Sequence, residues 1–202
     1  MKYQIKFHTY WHCGSGLAAG ADVDALVVKD KDNLPFIPGK TIKGLIREAV
    51  EEISGYCSAK AMTEDEINTI FGKRLTKSVS KNGESRINLD CASAFFSNAE
   101  LPKEVKDDVR NYIVDDKKVL SDFFYRSVAS TAIDGKTGIA QKHSLRKMQV
   151  VIPCTLEGEI SGISDAQAGK IAEMLGFIKC LGQGRTKGLG RCTISIKKED
   201  TK

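Results

Sequence analysis

Six cysteines stand at 13, 57, 91, 154, 180 and 192, and no two of them form a C-x-x-C pair. Scattered thiols of this kind are expected to be reduced. A looser set, His8, His12, Cys13 and Cys57, lacks the paired spacing of a zinc site. No signal-peptide pattern opens the chain, and no apolar run approaches the roughly 18 residues of a membrane span. The expectation is a cytoplasmic protein with no membrane partner. Fixed-period repeats and low-complexity tracts are also absent. What is left is one globular domain over residues 1–202, and a hydrophobic content of 41% is enough to give it a core.

Acids are missing from two stretches. Lys179 to Lys198 carries six Lys/Arg and no Asp/Glu, and Gly135 to Gln149 carries four and again none. The acids gather in 48–52, 64–66 and 104–116, so a net charge of only +5 conceals a segregated distribution. Segregation of this kind suits a polyanion lying on one face.

The most distinctive stretch is Leu181 to Cys192, LGQGRTKGLGRC. Gly182, Gly184, Gly188 and Gly190 alternate there with Arg185, Lys187 and Arg191. Glycine permits positive φ and close approach, and successive backbone N–H groups in such a turn form an anion-binding nest. Neither familiar nucleotide motif fits. A G-x-G-x-x-G fingerprint starting at Gly182 would place its third glycine on Lys187, and the residues that follow read as a strand rather than a helix. Pro38-Gly39-Lys40-Thr41 resembles the end of a P-loop, but the required first glycine is Leu34.

Periodicity supplies the coarse order. Tyr3 to Tyr10 alternates as a strand, and Ala25 to Val28 is a short β-branched run. Ile42, Leu45, Ile46, Ala49, Val50 and Ile53 form a helical stripe over about 40–53, with Lys40, Lys43 and Arg47 on the opposite face. Thr63 to Glu66 is a capping box for a helix closed by Gly72. Arg86 to Ala94 and Met148 to Ile160 read as strands, Ser164 caps a helix running to about Leu181, and 192–198 is a last strand. Between Val119 and Gln149 no period is sustained, a length usually reserved for function. Strand, helix, strand, strand, helix, strand is the α+β, ferredoxin-like (βαββαβ) pattern of RNA-recognition modules, here with long insertions.

Several segments, in order, carry a family resemblance: HCGSG (12–16), DVDALVVKDKDNLPFIPGKTIKGLIR (22–47), IFGK (70–73), INLDCASAFFSNA (87–99), TAIDGKTGIA (131–140) and the glycine loop with its preceding helix. Together they resemble the RAMP superfamily of CRISPR effector proteins, and in particular the backbone subunit of type III (Csm/Cmr-like) interference complexes. The resemblance implies a modified RRM core that polymerises along CRISPR RNA beside other effector subunits, as a homo-oligomeric filament. It implies a thumb-like insertion over 119–147, with Ile133, Asp134 and Ile139 at its working end. It also implies metal-dependent cleavage of guide-paired target RNA, with Asp24 catalytic and ligating a divalent ion, Mg or Mn. Asp22 competes for that role. RNA contact is expected at His12, Lys43, Arg47 and the loop residues Gly182, Gly184, Arg185, Lys187, Gly188 and Gly190. Two alternatives stay open: a non-catalytic structural or capping subunit, and a guide-processing endonuclease using His12 as acid or base.

Overall fold

The computed structural model describes residues 1–20, 22–57, 62–74, 91–111, 113–114 and 118–197. Strand β1 (Lys2–Phe7) alternates as its sequence requires, burying Tyr3, Ile5 and Phe7. Helix α1 (Gly39–Tyr56) buries Ile42, Ile46 and Val50. It starts directly after Pro38 with no side-chain cap; instead the Gly39 N–H donates to Asn98 Oδ1 at 3.0 Å. Position 39 must be glycine, because a Cβ there would lie 2.0 Å from the Phe96 carbonyl oxygen. Helix α2 (Glu64–Phe71) opens on the predicted capping box, with Thr63 and Glu66 bonded reciprocally.

The chain continues through β2 (Phe95–Phe96), α3 (Lys103–Asn111), β3 (Ile113–Val114), β4 (Lys118–Val119), a 3-10 turn (Leu120–Phe124), β5 (Tyr125–Ser130) and β6 (Arg146–Val151). After these come β7 (Thr155–Ser161), α4 (Asp165–Leu175), a 3-10 turn (Arg185–Lys187) and β8 (Cys192–Ile196). Four strands form one antiparallel sheet in the order β2-β7-β1-β8, the ferredoxin-like arrangement. On β1, Ile5 pairs with Leu156 on one side and Ile194 on the other. Helices α1 and α4 pack together, and Ile42, Ile46, Ile171, Met174 and Leu175 share one core with the sheet. Each such side chain, fully buried, contributes about 1.5–3 kcal/mol.

Four expectations need adjusting. The run read as one strand from Met148 to Ile160 is two strands in different sheets, separated by Ile152-Pro153-Cys154, because proline cannot donate to a continuing ladder. The helix after Ser164 stops at Leu175, where Gly176 follows, rather than near Leu181. Residues 25–28 form isolated bridges, Gly14 to Val27 and Ala25 to Met148, instead of a strand. The strand expected over Arg86–Ala94 falls mostly outside the described residues, and the edge strand is Phe95–Phe96.

The supposedly aperiodic insertion contains an antiparallel hairpin. Strands β5 and β6 pair from Tyr125–Val151 out to Ser130–Arg146, and a bridge between Ile133 and Ala140 continues it. Segment 24–35 starts against β6 and reaches the base of β5, so that it holds both strands. On the β6 side Asp24 bonds to Lys147; on the β5 side the Tyr125 hydroxyl donates to the Asn33 carbonyl at 2.7 Å. Lys29 Nζ also lies 3.8 Å from the centre of the Tyr125 ring.

Candidate nucleic-acid interface

The loop between α4 and β8 is a folded structure. All four of its glycines have positive φ, and Gly184 and Gly188 flank the 3-10 turn in the left-handed region. At two of them the space is also closed. A Cβ at Gly182 would sit 2.3 Å from the His12 carbonyl oxygen, and one at Gly190 would sit 1.9 Å from the Leu181 carbonyl oxygen. The loop is seated by backbone bonds, Gln183 N–H to His12 O at 2.9 Å and Gly190 N–H to Tyr10 O at 2.7 Å. Arg185 and Lys187 project from it, exposed, and neither makes an ion pair among the described residues.

His12 is 1% exposed. Its Nδ1 lies 2.6 Å from the Gln149 carbonyl oxygen, an atom that can only accept, so Nδ1 carries the proton. In the neutral ring Nε2 is then an acceptor. It is buried without a hydrogen-bond partner among the described residues. Gly14 lies against it, since a Cβ at Gly14 would be 3.1 Å from Nε2 and would meet only the His12 ring.

Asp24 is exposed, and its backbone and carboxylate both engage the hairpin. Lys147 N–H donates to Asp24 Oδ2 at 2.7 Å, and Asp24 N–H donates to the Lys147 carbonyl at 2.9 Å. Lys147 and Gln149 are two residues apart on β6, about 7 Å along a strand. One strand therefore carries both Asp24 and His12, and His12 in turn seats the glycine loop. Among the described residues no group of three or more His, Cys, Asp or Glu side chains is arranged to hold a metal ion. Asp24 fits a cation only as a single carboxylate ligand, with Oδ1 making no hydrogen bond among the described residues. Asp22, also exposed, donates its N–H to the Ala19 carbonyl at 3.2 Å.

The two candidates on α1 differ from each other. Arg47 is turned inward, 14% exposed at the side chain, where Nε bonds Glu51 at 2.7 Å. Its other nitrogens reach the Gly72 carbonyl at 2.6 Å and Asn68 Oδ1 at 3.3 Å, tying α1 to α2. Lys43 is half-buried on the same helix. At the far end of the hairpin, Ile133 and Ile139 are 57% and 68% exposed. Asp134 organises the turn between them, accepting N–H bonds from Lys136 and Thr137 at 2.8 and 3.0 Å. Those bonds hold its carboxyl below the usual range.

Sequence reasoning misses Gln149 and Lys147 as parts of this arrangement. Both fall in the acid-free run 135–149, and charge is the only signal there. Lys147 acts through its backbone, which no residue pattern records.

A glycine-rich loop, a buried histidine and an exposed aspartate are thus joined on a ferredoxin-like core with an outstanding hairpin. The chain belongs to the RAMP superfamily, whose family model matches residues 4–193. Two solved structures share its fold. One is the cryo-EM structure of the type III-B Cmr-beta bound to cognate target RNA, with 13% identity, a TM-score of 0.66, and coverage of 96% of this chain and 95% of that one. The other is the apo state of the type III-B Cmr-beta, with 14% identity, a TM-score of 0.64, and coverage of 98% and 97%. No curated protein matches the chain.

Proposed function

We propose that this RAMP protein is a CRISPR RNA-binding backbone subunit of a type III effector complex that cleaves guide-paired target RNA at Asp24. One observation carries the reading: β6 holds Asp24 through Lys147 and His12 through Gln149, while the His12 carbonyl seats the glycine loop. Phosphate contacts by Arg185, Lys187 and the loop amides position a guide strand without reading its sequence, which base pairing supplies. His12, 1% exposed, supports the loop from within instead of meeting RNA through its ring, Arg47 is engaged by Glu51, Gly72 and Asn68, and the half-buried Lys43 is the remaining candidate contact on α1. Ile133 and Ile139, on the Asp134 turn, are the apolar side chains that separate stacked bases of the paired strands.

Asp24 presents a carboxylate fixed at Oδ2 and open at Oδ1, suited to accept the proton of an attacking 2′-hydroxyl or to orient it. Asp24 would hold a divalent ion, Mg or Mn, which would supply charge neutralisation at the reacting phosphate. Partners are the guide RNA, target RNA, further copies of this chain in a filament, and other effector subunits, in the cytoplasm. Among the described residues no helix is long and apolar enough to cross a membrane.

A second reading has an observation of its own. Asp24 Oδ2 accepts the Lys147 N–H on β6 of the hairpin, which a non-catalytic structural or capping subunit would need equally. Asp24→Asn separates the two, because the amide oxygen keeps the acceptor and only the charge is lost. In the reconstituted complex with divalent metal, the catalytic reading expects Asp24→Asn to bind guide and target as before and to leave the target uncut. Undiminished cutting would hand Asp24 to the structural reading. The guide-processing alternative requires a reactive His12 ring, and that ring is 1% exposed.

A further inference from the structure

We infer that Gln149 is a positioning residue for Asp24, an inference that rests on the catalytic reading above. Gln149 makes three bonds to the segments that carry the site. Its N–H donates to the Ala25 carbonyl at 2.9 Å, its carbonyl accepts from His12 Nδ1 at 2.6 Å, and its side-chain Oε1 accepts from Val27 N–H at 3.3 Å. Any residue but proline would make the first two at this position. Only the third depends on glutamine.

The segment from Asp24 to Val28 lies between two neighbours. On one side Leu26 N–H and Val28 N–H donate to the Leu17 and Cys13 carbonyls; on the other, Asp24, Ala25 and Val27 bond to β6. Two of the bonds to β6 use a side chain: Asp24 Oδ2 to Lys147 N–H, and Gln149 Oε1 to Val27 N–H. Asp24 meets RNA through Oδ1 while Oδ2 keeps its bond to Lys147, so its position depends on the register of residues 24–27 on β6. Beside the backbone bonds Asp24 N–H to Lys147 O and Gln149 N–H to Ala25 O, the Gln149 amide is a further tie between residues 24–27 and β6, at the Val27 end. The Val27 side chain is 3% exposed, so the segment is clamped at that end by packing as well as by the bond. Gln149 thus fixes the segment that carries Asp24, and it bonds both His12 Nδ1, through its carbonyl, and the Asp24 segment, through its side chain.

The test compares Gln149→Met, which keeps length and removes the acceptor, with Gln149→Glu, which keeps an acceptor, in the complex assembled with guide RNA. Single-turnover cleavage of saturating target is expected to fall about tenfold in the Met variant while guide and target affinities stay within about twofold, and the Glu variant recovers to within about threefold of native. Amide hydrogen exchange at Val27, read by NMR or mass spectrometry, should quicken in the Met variant and return in the Glu variant. Native cleavage and native Val27 exchange in Gln149→Met would overturn the proposal, as would equal losses in Met and Glu. Asp24→Asn is run alongside. If that variant still cuts, the catalytic reading has failed, and Val27 exchange alone then decides whether Gln149 holds the loop.

Discussion

Gly182 allows the seating of the loop to be measured against a built-in control. Both Gly182 and Gly188 have left-handed backbones, with φ of +94° and +81°, so an alanine at either costs about 1–2 kcal/mol in backbone strain. Their surroundings differ. A Cβ at Gly188 meets nothing within 4 Å, whereas one at Gly182 lies 2.3 Å from the His12 carbonyl oxygen. No carbon tolerates that distance from a backbone atom, so the loop must withdraw and break the 2.9 Å Gln183–His12 bond. Leaving a buried carbonyl without its donor costs about 1–3 kcal/mol. Gly182→Ala should therefore destabilise the chain by about 2–5 kcal/mol and Gly188→Ala by about 1–2 kcal/mol. Urea unfolding of the two variants reads the difference directly, as midpoints separated by roughly 1 M or slightly less at a common slope. Coincident midpoints would refute the claim that the loop rests on the His12 carbonyl, and with it the link from the glycine loop to β6.

Two other outcomes are expected. Replacing Arg185 and Lys187 with alanine should weaken guide-RNA binding and lower the salt slope of log K by about 0.7 for each phosphate left unneutralised, measured by filter binding across a salt series; an unchanged slope would assign the loop to packing alone. Glu66 is bonded by Lys170 at 2.9 Å and by the Thr63 N–H, and both hold its carboxyl below the usual range. A depressed carboxylate adds stability above its unfolded pKa, about 4.3, that is lost as pH falls through the lower folded value, so Glu66→Gln should flatten the acid limb of the urea midpoint between pH 7 and 3. Parallel curves for native and variant would show that the bonds from Lys170 and Thr63 add no stability.

Local signals recover the elements whose determinants are local. The stripe on α1, the capping box at Thr63 and the cap at Ser164 each lie within a few turns of sequence and form where expected, and the alternation of β1 does so over Lys2–Phe7, short of the expected end at Tyr10. Pro153 is visible in the sequence, but the apolar runs on both sides of it read as one strand where the structure has a break between two sheets. Phe177 and Ile178 continue the apolar pattern past Gly176, so periodicity carries the expected helix beyond the true end of α4. The site is legible as residue types and loops but not as an arrangement. Asp24 meets Lys147 across 123 residues and His12 meets Gln149 across 137, and no composition or period encodes those separations. Arg47 shows the converse error: a cation on a helix face, expected to meet a ligand, is engaged by Glu51, Gly72 and Asn68.

The position of β1 between β7 and β8 has a consequence for how the molecule is made. Its partners are residues 155–159 on one side and 192–196 on the other, so both of its hydrogen-bonding edges stay open through most of synthesis. Pairings of such sequence separation are slow to close, and an unpaired apolar strand is a template for pairing with other chains. Tyr3, Ile5 and Phe7 thus stay uncovered until residues 155–159 and 192–196 have been made. Until residues 192–196 are made, β1 is therefore the strand most exposed to mispairing.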